Sequence, residues 1–244
     1  MLGENFLTND SGVCKVLEVV TFRKVLVEFE DGYRKYCRPD ALKLGSVKNP
    51  FYPSLFGVGY MGEGNYNSNN SRLAHKKWIG MLTRCYGEKY LEKQPTYIDV
   101  EVCKEWLCFQ NFAAWCETQD SFGKPDINGN SFVLDKDLFH DGRKRRYSPE
   151  TCCFIPNFLN GMIVVRNSKD YLPLGIYKKG HRFVFRSKNY MRERVTYISY
   201  SIEDVVAFHS NFRKQMFIDF LNDKNQKICD RVRMKLEEIV ACWI

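Results

Sequence analysis

Phe132 to Asn160 reads FVLDKDLFHDGRKRRYSPETCCFIPNFLN, and the reading of this stretch decides the fold. Phe132-Val133-Leu134 is strand-like and runs into an acid–base–acid triplet, Asp135-Lys136-Asp137. His140-Asp141-Gly142 is turn-prone, and four cations follow it: Arg143, Lys144, Arg145 and Arg146. Ser148-Pro149-Glu150 suits a short helix or tight turn, because Ser caps and Pro fits a first helical position. A second apolar run, Cys152 to Ile155, then leads to Asn157 and Asn160. The stretch therefore reads as a hairpin with carboxylates beside a basic loop, a place where a metal ion and a phosphodiester can meet.

LDKDL, YSPETCCFIP and the closing Asn160 together resemble the ββ-metal core of HNH endonucleases, in the divergent form common among phage-encoded homing endonucleases. The block Trp78 to Tyr86, with Val102 to Trp106 and Phe109 to Trp115, matches the same phage-type pattern, so the likeness covers roughly residues 50 to 165. The resemblance implies a metal-dependent cut in DNA. Asp135 and Asp137 would hold a divalent ion, Mg or Mn, and Asn160 would complete the site. Lys136 and Arg143 to Arg146 would hold the scissile phosphate. The base would be His140 or a metal-bound water. Two positions depart from the pattern. Lys136 stands where an active core has its general-base His, and Thr151 where the middle Asn is usual. Flanking carboxylates favour the charged form of Lys136, which makes it a poor base and a reasonable phosphate clamp. The departures favour a second reading, a DNA-binding protein that keeps the scaffold without the catalysis. A third reading is a protein inhibitor of a host nucleic-acid or defence enzyme.

Upstream, Leu73, Lys77, Trp78, Met81, Leu82 and Cys85 recur at helical spacing over residues 72 to 87, with Gly87 suited to the C-terminal cap. A short strand, Tyr97 to Val102, is expected to lead into one helix over Lys104 to Cys116. Its stripe of Trp106, Phe109, Phe112, Ala113 and Cys116 reads as core rather than as a base-stacking platform. Residues 45 to 72 are punctuated by glycine and proline. GVGYMGEG within them lacks the preceding strand and following lysine of a phosphate-binding loop, so it reads as an ordered loop covering the core. Residues 1 to 48 read as a small β module. Cys14 to Val20, Lys24 to Phe29 and Tyr33 to Cys37 are its strands, and Asp31-Gly32 is its hairpin turn. VEFEDGYRKYC resembles small barrels of the KOW or SH3-like kind.

Downstream, residues 174 to 180, 182 to 186 and 195 to 199 read as three short antiparallel strands. Alternation in RFVFR places Arg182, Val184 and Arg186 on one face and Phe183 and Phe185 on the other. Ser201-Ile202-Glu203-Asp204 suits a helix start, with the helix running to about Phe220 and another from Gln226 to Val240. Three strands, a GIYKK start and an amphipathic EDVVAF helix resemble the integrase-type DNA-binding domain of ethylene-response factors and many phage homing endonucleases. The likeness covers roughly residues 172 to 221. In that family the sheet enters the major groove. The matching basic positions are Lys178, Lys179, Arg182 and Arg186, with Lys188, Arg192 and Arg194 in the turn between strands.

The expected organisation is thus α+β in three parts: a β module at 1–48, an HNH-like domain at 49–168, and a sheet-plus-helix DNA-binding domain at 169–244. At 44% apolar and 15% aromatic, the 244 residues can build packed cores, and a net charge of +8 suits an anionic partner, double-stranded DNA. No apolar run approaches bilayer length and no signal-peptide segment opens the chain, so no membrane partner and a cytoplasmic location are expected. The ten cysteines are expected as reduced thiols. They include no C-x-x-C pair, so a structural zinc is not expected.

Overall fold

The computed structural model describes every residue except 141, 143, 144, 164–171, 190, 227 and 244. The fold is α+β, with antiparallel sheets near both ends of the chain. Packing divides it into two compact units, residues 1–116 and 117–244. The division therefore falls inside the span expected as one central domain. The expected 168/169 boundary lies outside the described residues.

The first unit opens with four strands, β1 (Asn5–Leu7), β2 (Val13–Thr21), β3 (Lys24–Phe29) and β4 (Arg34–Cys37), paired in that order as an antiparallel meander. Val16, Val25, Val27 and Phe29 fill its buried side together with Leu42 of α1 (Pro39–Lys43). Gly32 supplies the positive φ, 84°, that the β3–β4 turn requires.

Beyond the glycine-rich loop come α2 (Arg72–Tyr86), α3 (Glu88–Lys93), a 3₁₀ turn (Pro95–Tyr97) and β5 (Glu101–Val102), which is much shorter than the expected strand. Trp78, Met81, Leu82 and Cys85 of α2 are buried, as the helical spacing requires. Gly87 closes α2 without a left-handed cap; its φ is −81°. A Cβ there would lie 2.6 Å from the Thr83 carbonyl, so close approach explains the glycine. The expected single helix over 104–116 is two, α4 (Lys104–Leu107) and α5 (Phe109–Glu117). The break has a tertiary cause: Tyr60 donates its N–H to the Leu107 carbonyl at 3.0 Å and accepts from Phe109 N at 2.9 Å. The glycine-rich loop is fastened by Gln110. That side chain donates to the Met61 and Tyr66 carbonyls at 3.1 and 2.8 Å and accepts from Tyr66 N at 3.0 Å. Gly62, at φ 71°, passes so close that a Cβ would lie 2.5 Å from Cys108 Sγ.

The second unit holds β6 (Val133–Asp135), β7 (Arg146–Tyr147), β8 (Cys153–Ile155) and α6 (Asn157–Ile163). Then come β9 (Ile176–Lys179), β10 (Arg182–Lys188), β11 (Arg194–Ser199), α7 (Ile202–Asn222) and α8 (Asp230–Ala241). β6 and β8 form an antiparallel hairpin in which Asp135 faces Cys153. β10 is the centre of the three-stranded sheet, flanked by β9 and β11. Ser201 caps α7 as its sequence suggests, accepting from Asp204 N at 3.1 Å. α8 begins later than expected. Asp223 instead folds the preceding residues into a turn, its side chain accepting from Asn225 N at 2.9 Å and Gln226 Nε2 at 3.2 Å.

α7 has two apolar stretches. Its first half, through Val205, Phe208 and Phe212, packs on Ile176 and Phe185 of the sheet. Its second half, through Met216, Phe217 and Phe220, shares a core with Cys153, Ile155, Leu159 and Met162 of the hairpin region and with Val232 and Leu236 of α8. Each large side chain buried this way contributes roughly 1.5–3 kcal/mol relative to exposure. At 21 residues α7 is about 30 Å long, so one helix joins the hairpin and the sheet. No helix among the described residues is long and apolar enough to cross a membrane.

Candidate nucleic-acid interface

Asp135 ends β6 and turns the chain. Its Oδ2 accepts from Asp137 N at 2.9 Å and from Leu138 N at 2.8 Å. The carboxylate is buried. Burial pushes its pKa above the ordinary value, opposed in part by the Leu138 and Asp137 amides. The turn carries Lys136 back onto its neighbour, where Nζ contacts both Asp137 oxygens at 2.8 and 2.9 Å. The Lys136 side chain is 4% exposed and Asp137 32%. The residue expected as a phosphate clamp is thus enclosed and already paired with Asp137.

His140 is exposed and accepts from Gly142 N through Nδ1 at 3.1 Å. Asn160 is half-buried on α6, apart from the turn in sequence and held in the helix by its N–H to the Pro156 carbonyl. Arg143 and Lys144 lie outside the described residues. Arg145 and Arg146 are exposed.

A divalent ion needs oxygens free to coordinate it. Asp135 gives Oδ2 to two backbone amides, and both Asp137 oxygens contact an ammonium. The expected Mg or Mn pair, Asp135 and Asp137, does not fit such an ion as arranged. Among the described residues no group of three or more His, Cys, Asp or Glu side chains is placed to hold a metal. None of the ten cysteines is joined in a disulfide, and seven of them are buried. Burial pushes the Cys153 thiol up, consistent with a small apolar filler rather than a nucleophile.

The sheet is a different kind of surface. Directly paired residues share a face, and the register pairs Phe185 with Ile176 and Tyr197, all turned toward α7. The opposite face therefore carries Arg182, Val184, Arg186 and Lys188 of β10, Tyr177 and Lys179 of β9, and Arg194, Thr196 and Ile198 of β11. Lys178 pairs with Phe183 and so belongs to the α7 side, with Nζ 5.8 Å from the Phe183 ring. Lys188 and Arg194 lie on strands, where the turn was expected. Arg192 is in the turn, at φ 65°. That turn is closed by Asn189, which donates to Glu193 Oε2 at 2.7 Å and accepts from Glu193 N at 2.9 Å.

Lys179, Arg182, Arg186, Lys188 and Arg194 are all exposed. Among the described residues none of the five forms an ion pair. Lys179 faces Arg182, and Lys188 faces Arg194, so each end of β10 sets two like charges directly opposite one another. Such pairs destabilise a sheet. Aromatic rings are interleaved: Arg186 lies 5.9 Å from the Tyr177 ring and Arg182 5.3 Å from Tyr200. Tyr177 and Tyr200 were not singled out in the sequence, although the same alternation that sorts RFVFR places Tyr177.

Arg231 is a second residue the sequence did not indicate. From α8 it donates to the Pro149 and Glu150 carbonyls, and its guanidinium stacks 3.9 Å from the Phe139 ring. It fastens the Ser148–Glu150 turn to the helix. Its signal is only tertiary, since 81 residues separate Arg231 from Glu150.

The chain matches no protein-family model, no curated protein and no solved structure.

Proposed function

We propose that this chain binds double-stranded DNA through the outward face of β9–β10–β11, and that the Asp135–Asp137 hairpin is a scaffold rather than a hydrolytic centre. The observation that carries the proposal is the set of five exposed cations on one sheet face with no internal acidic partner among the described residues. Two of the cross-strand pairs set like charges opposite one another, an arrangement that costs stability in the free protein and is relieved by a polyanion. Three strands about 4.8 Å apart span roughly 10 Å, which suits a major groove about 12 Å wide. The rings of Tyr177 and Tyr200 stiffen Arg186 and Arg182, so less side-chain freedom is lost on binding. The resemblance of residues 172 to 221 to integrase-type DNA-binding domains supports the same face.

Binding is tested by fluorescence anisotropy of a labelled duplex at several salt concentrations. The affinity falls steeply as salt rises; an affinity indifferent to salt overturns the proposal. The scaffold role is tested on supercoiled plasmid with Mg or Mn. Nicking by the wild type that disappears in Asp137→Asn overturns it.

A further inference from the structure

The acidic turn at the end of β6 is built like a cation site, yet the cation it holds belongs to the chain. In a regular strand Lys136 would point away from Asp135 and Asp137, because successive side chains alternate. Instead, the two amide hydrogen bonds to Asp135 Oδ2 bend the backbone and return the Lys136 side chain to Asp137. Nζ lies at nearly equal distances from the two Asp137 oxygens, 2.8 and 2.9 Å, as a shared cation does. The aliphatic stem is enclosed, and the Tyr147 ring lies 5.8 Å from the ammonium. An enclosed ammonium is costly unless paired, so the pairing is what permits Lys136 to be inside.

We infer that Lys136 is the resident cation of this turn: its ammonium takes the place of a divalent ion at the Asp137 carboxylate, and removing it frees that carboxylate for such an ion. The turn is thereby independent of metal in the wild type, and Lys136 acts as a positioning residue for the hairpin. This inference concerns the free protein and does not depend on DNA binding.

The test is thermal unfolding of the full chain with chelator and with increasing MnCl₂, for the wild type, Lys136→Ala, and Lys136→Ala combined with Asp137→Asn. The wild type shows the same Tm in both conditions. Lys136→Ala has a lower Tm in chelator and gains several degrees with Mn²⁺ in a saturable way, and adding Asp137→Asn abolishes that gain. If Lys136→Ala does not fold in chelator, Mn²⁺ restores its folded circular-dichroism spectrum. Three results overturn the inference: a saturable Mn²⁺ stabilisation of the wild type that is lost in Asp137→Asn alone, a folded Lys136→Ala that responds to Mn²⁺ no more than the wild type, or an unfolded Lys136→Ala that Mn²⁺ does not restore.

Discussion

Changing Lys188 to Glu separates stability from binding. Lys188 and Arg194 are direct cross-strand partners on the outward face, both exposed and without an acidic partner among the described residues. The substitution replaces repulsion by attraction, which is worth about 0.5 kcal/mol for an exposed pair. The urea midpoint of unfolding therefore rises slightly. Binding moves the other way. If all five outward cations neutralise phosphates, the slope of log K against log salt is about −4.5, so affinity falls about 500-fold between roughly 50 and 200 mM salt. With Lys188 lost, the slope is at most about −3.6, and the same change in salt costs about 150-fold. At low salt the variant also binds more weakly, because a carboxylate now faces the phosphates. Urea unfolding followed by tryptophan fluorescence measures the first quantity, and anisotropy titrations with a labelled duplex measure the second. A variant that binds as tightly as the wild type, with the same slope, refutes the reasoning. So does one whose binding falls only in proportion to lost folding.

Three further outcomes follow from the same geometry. Phe185→Ala removes the ring that joins the sheet to Phe208, His209 and Phe212 of α7, and costs about 3–5 kcal/mol in urea or thermal unfolding. Burial, with Arg213 adding to it, holds the His209 pKa below its ordinary 6.5, and burial does the same to His75. The unfolded chain therefore binds protons more readily, and stability present above about pH 6.5 is lost as pH falls below it. His209→Gln reduces that slope in unfolding measured across pH 5 to 7 (approximate limits), and an unchanged slope contradicts the assignment. Asp135→Ala leaves two amides without their acceptor and costs about 1–3 kcal/mol. Asp135→Asn keeps an acceptor and drops the charge that burial disfavours, so its midpoint lies close to the wild type.

What the sequence reveals and conceals divides by range. The β2–β4 meander, α2 and the three-stranded sheet follow from local signals: β-branched alternation, Asp31-Gly32, and apolar residues at helical spacing. The stripe from Trp106 to Cys116 is core, as its composition suggests, but its break at Cys108 comes from Tyr60, 48 positions earlier, and no local propensity encodes it. The sharing of α7 between sheet and hairpin is equally nonlocal, because nothing in its sequence states which half meets which partner. At the candidate sites the differences come from geometry that residue order alone does not state. The HNH-like pattern and the flanking carboxylates suggest a phosphate clamp at Lys136, whereas the Asp135 turn folds that side chain back onto Asp137. The integrase-type resemblance takes Lys178 and Lys179 together, yet the pairing of Lys179 with Arg182 puts Lys178 on the other side. A basic run in a strand is two half-runs on opposite faces, and only register tells them apart.

That distinction provides the most direct measurement of DNA binding by the sheet. Lysines are acetylated with a water-soluble reagent, with and without saturating duplex DNA, and the modified sites are quantified by mass spectrometry. Lys179 and Lys188, on the outward face, become protected, while the adjacent Lys178 on the α7 side keeps its reactivity. Equal protection of Lys178 and Lys179, or undiminished acetylation of Lys179 and Lys188 in the complex, contradicts binding through this face.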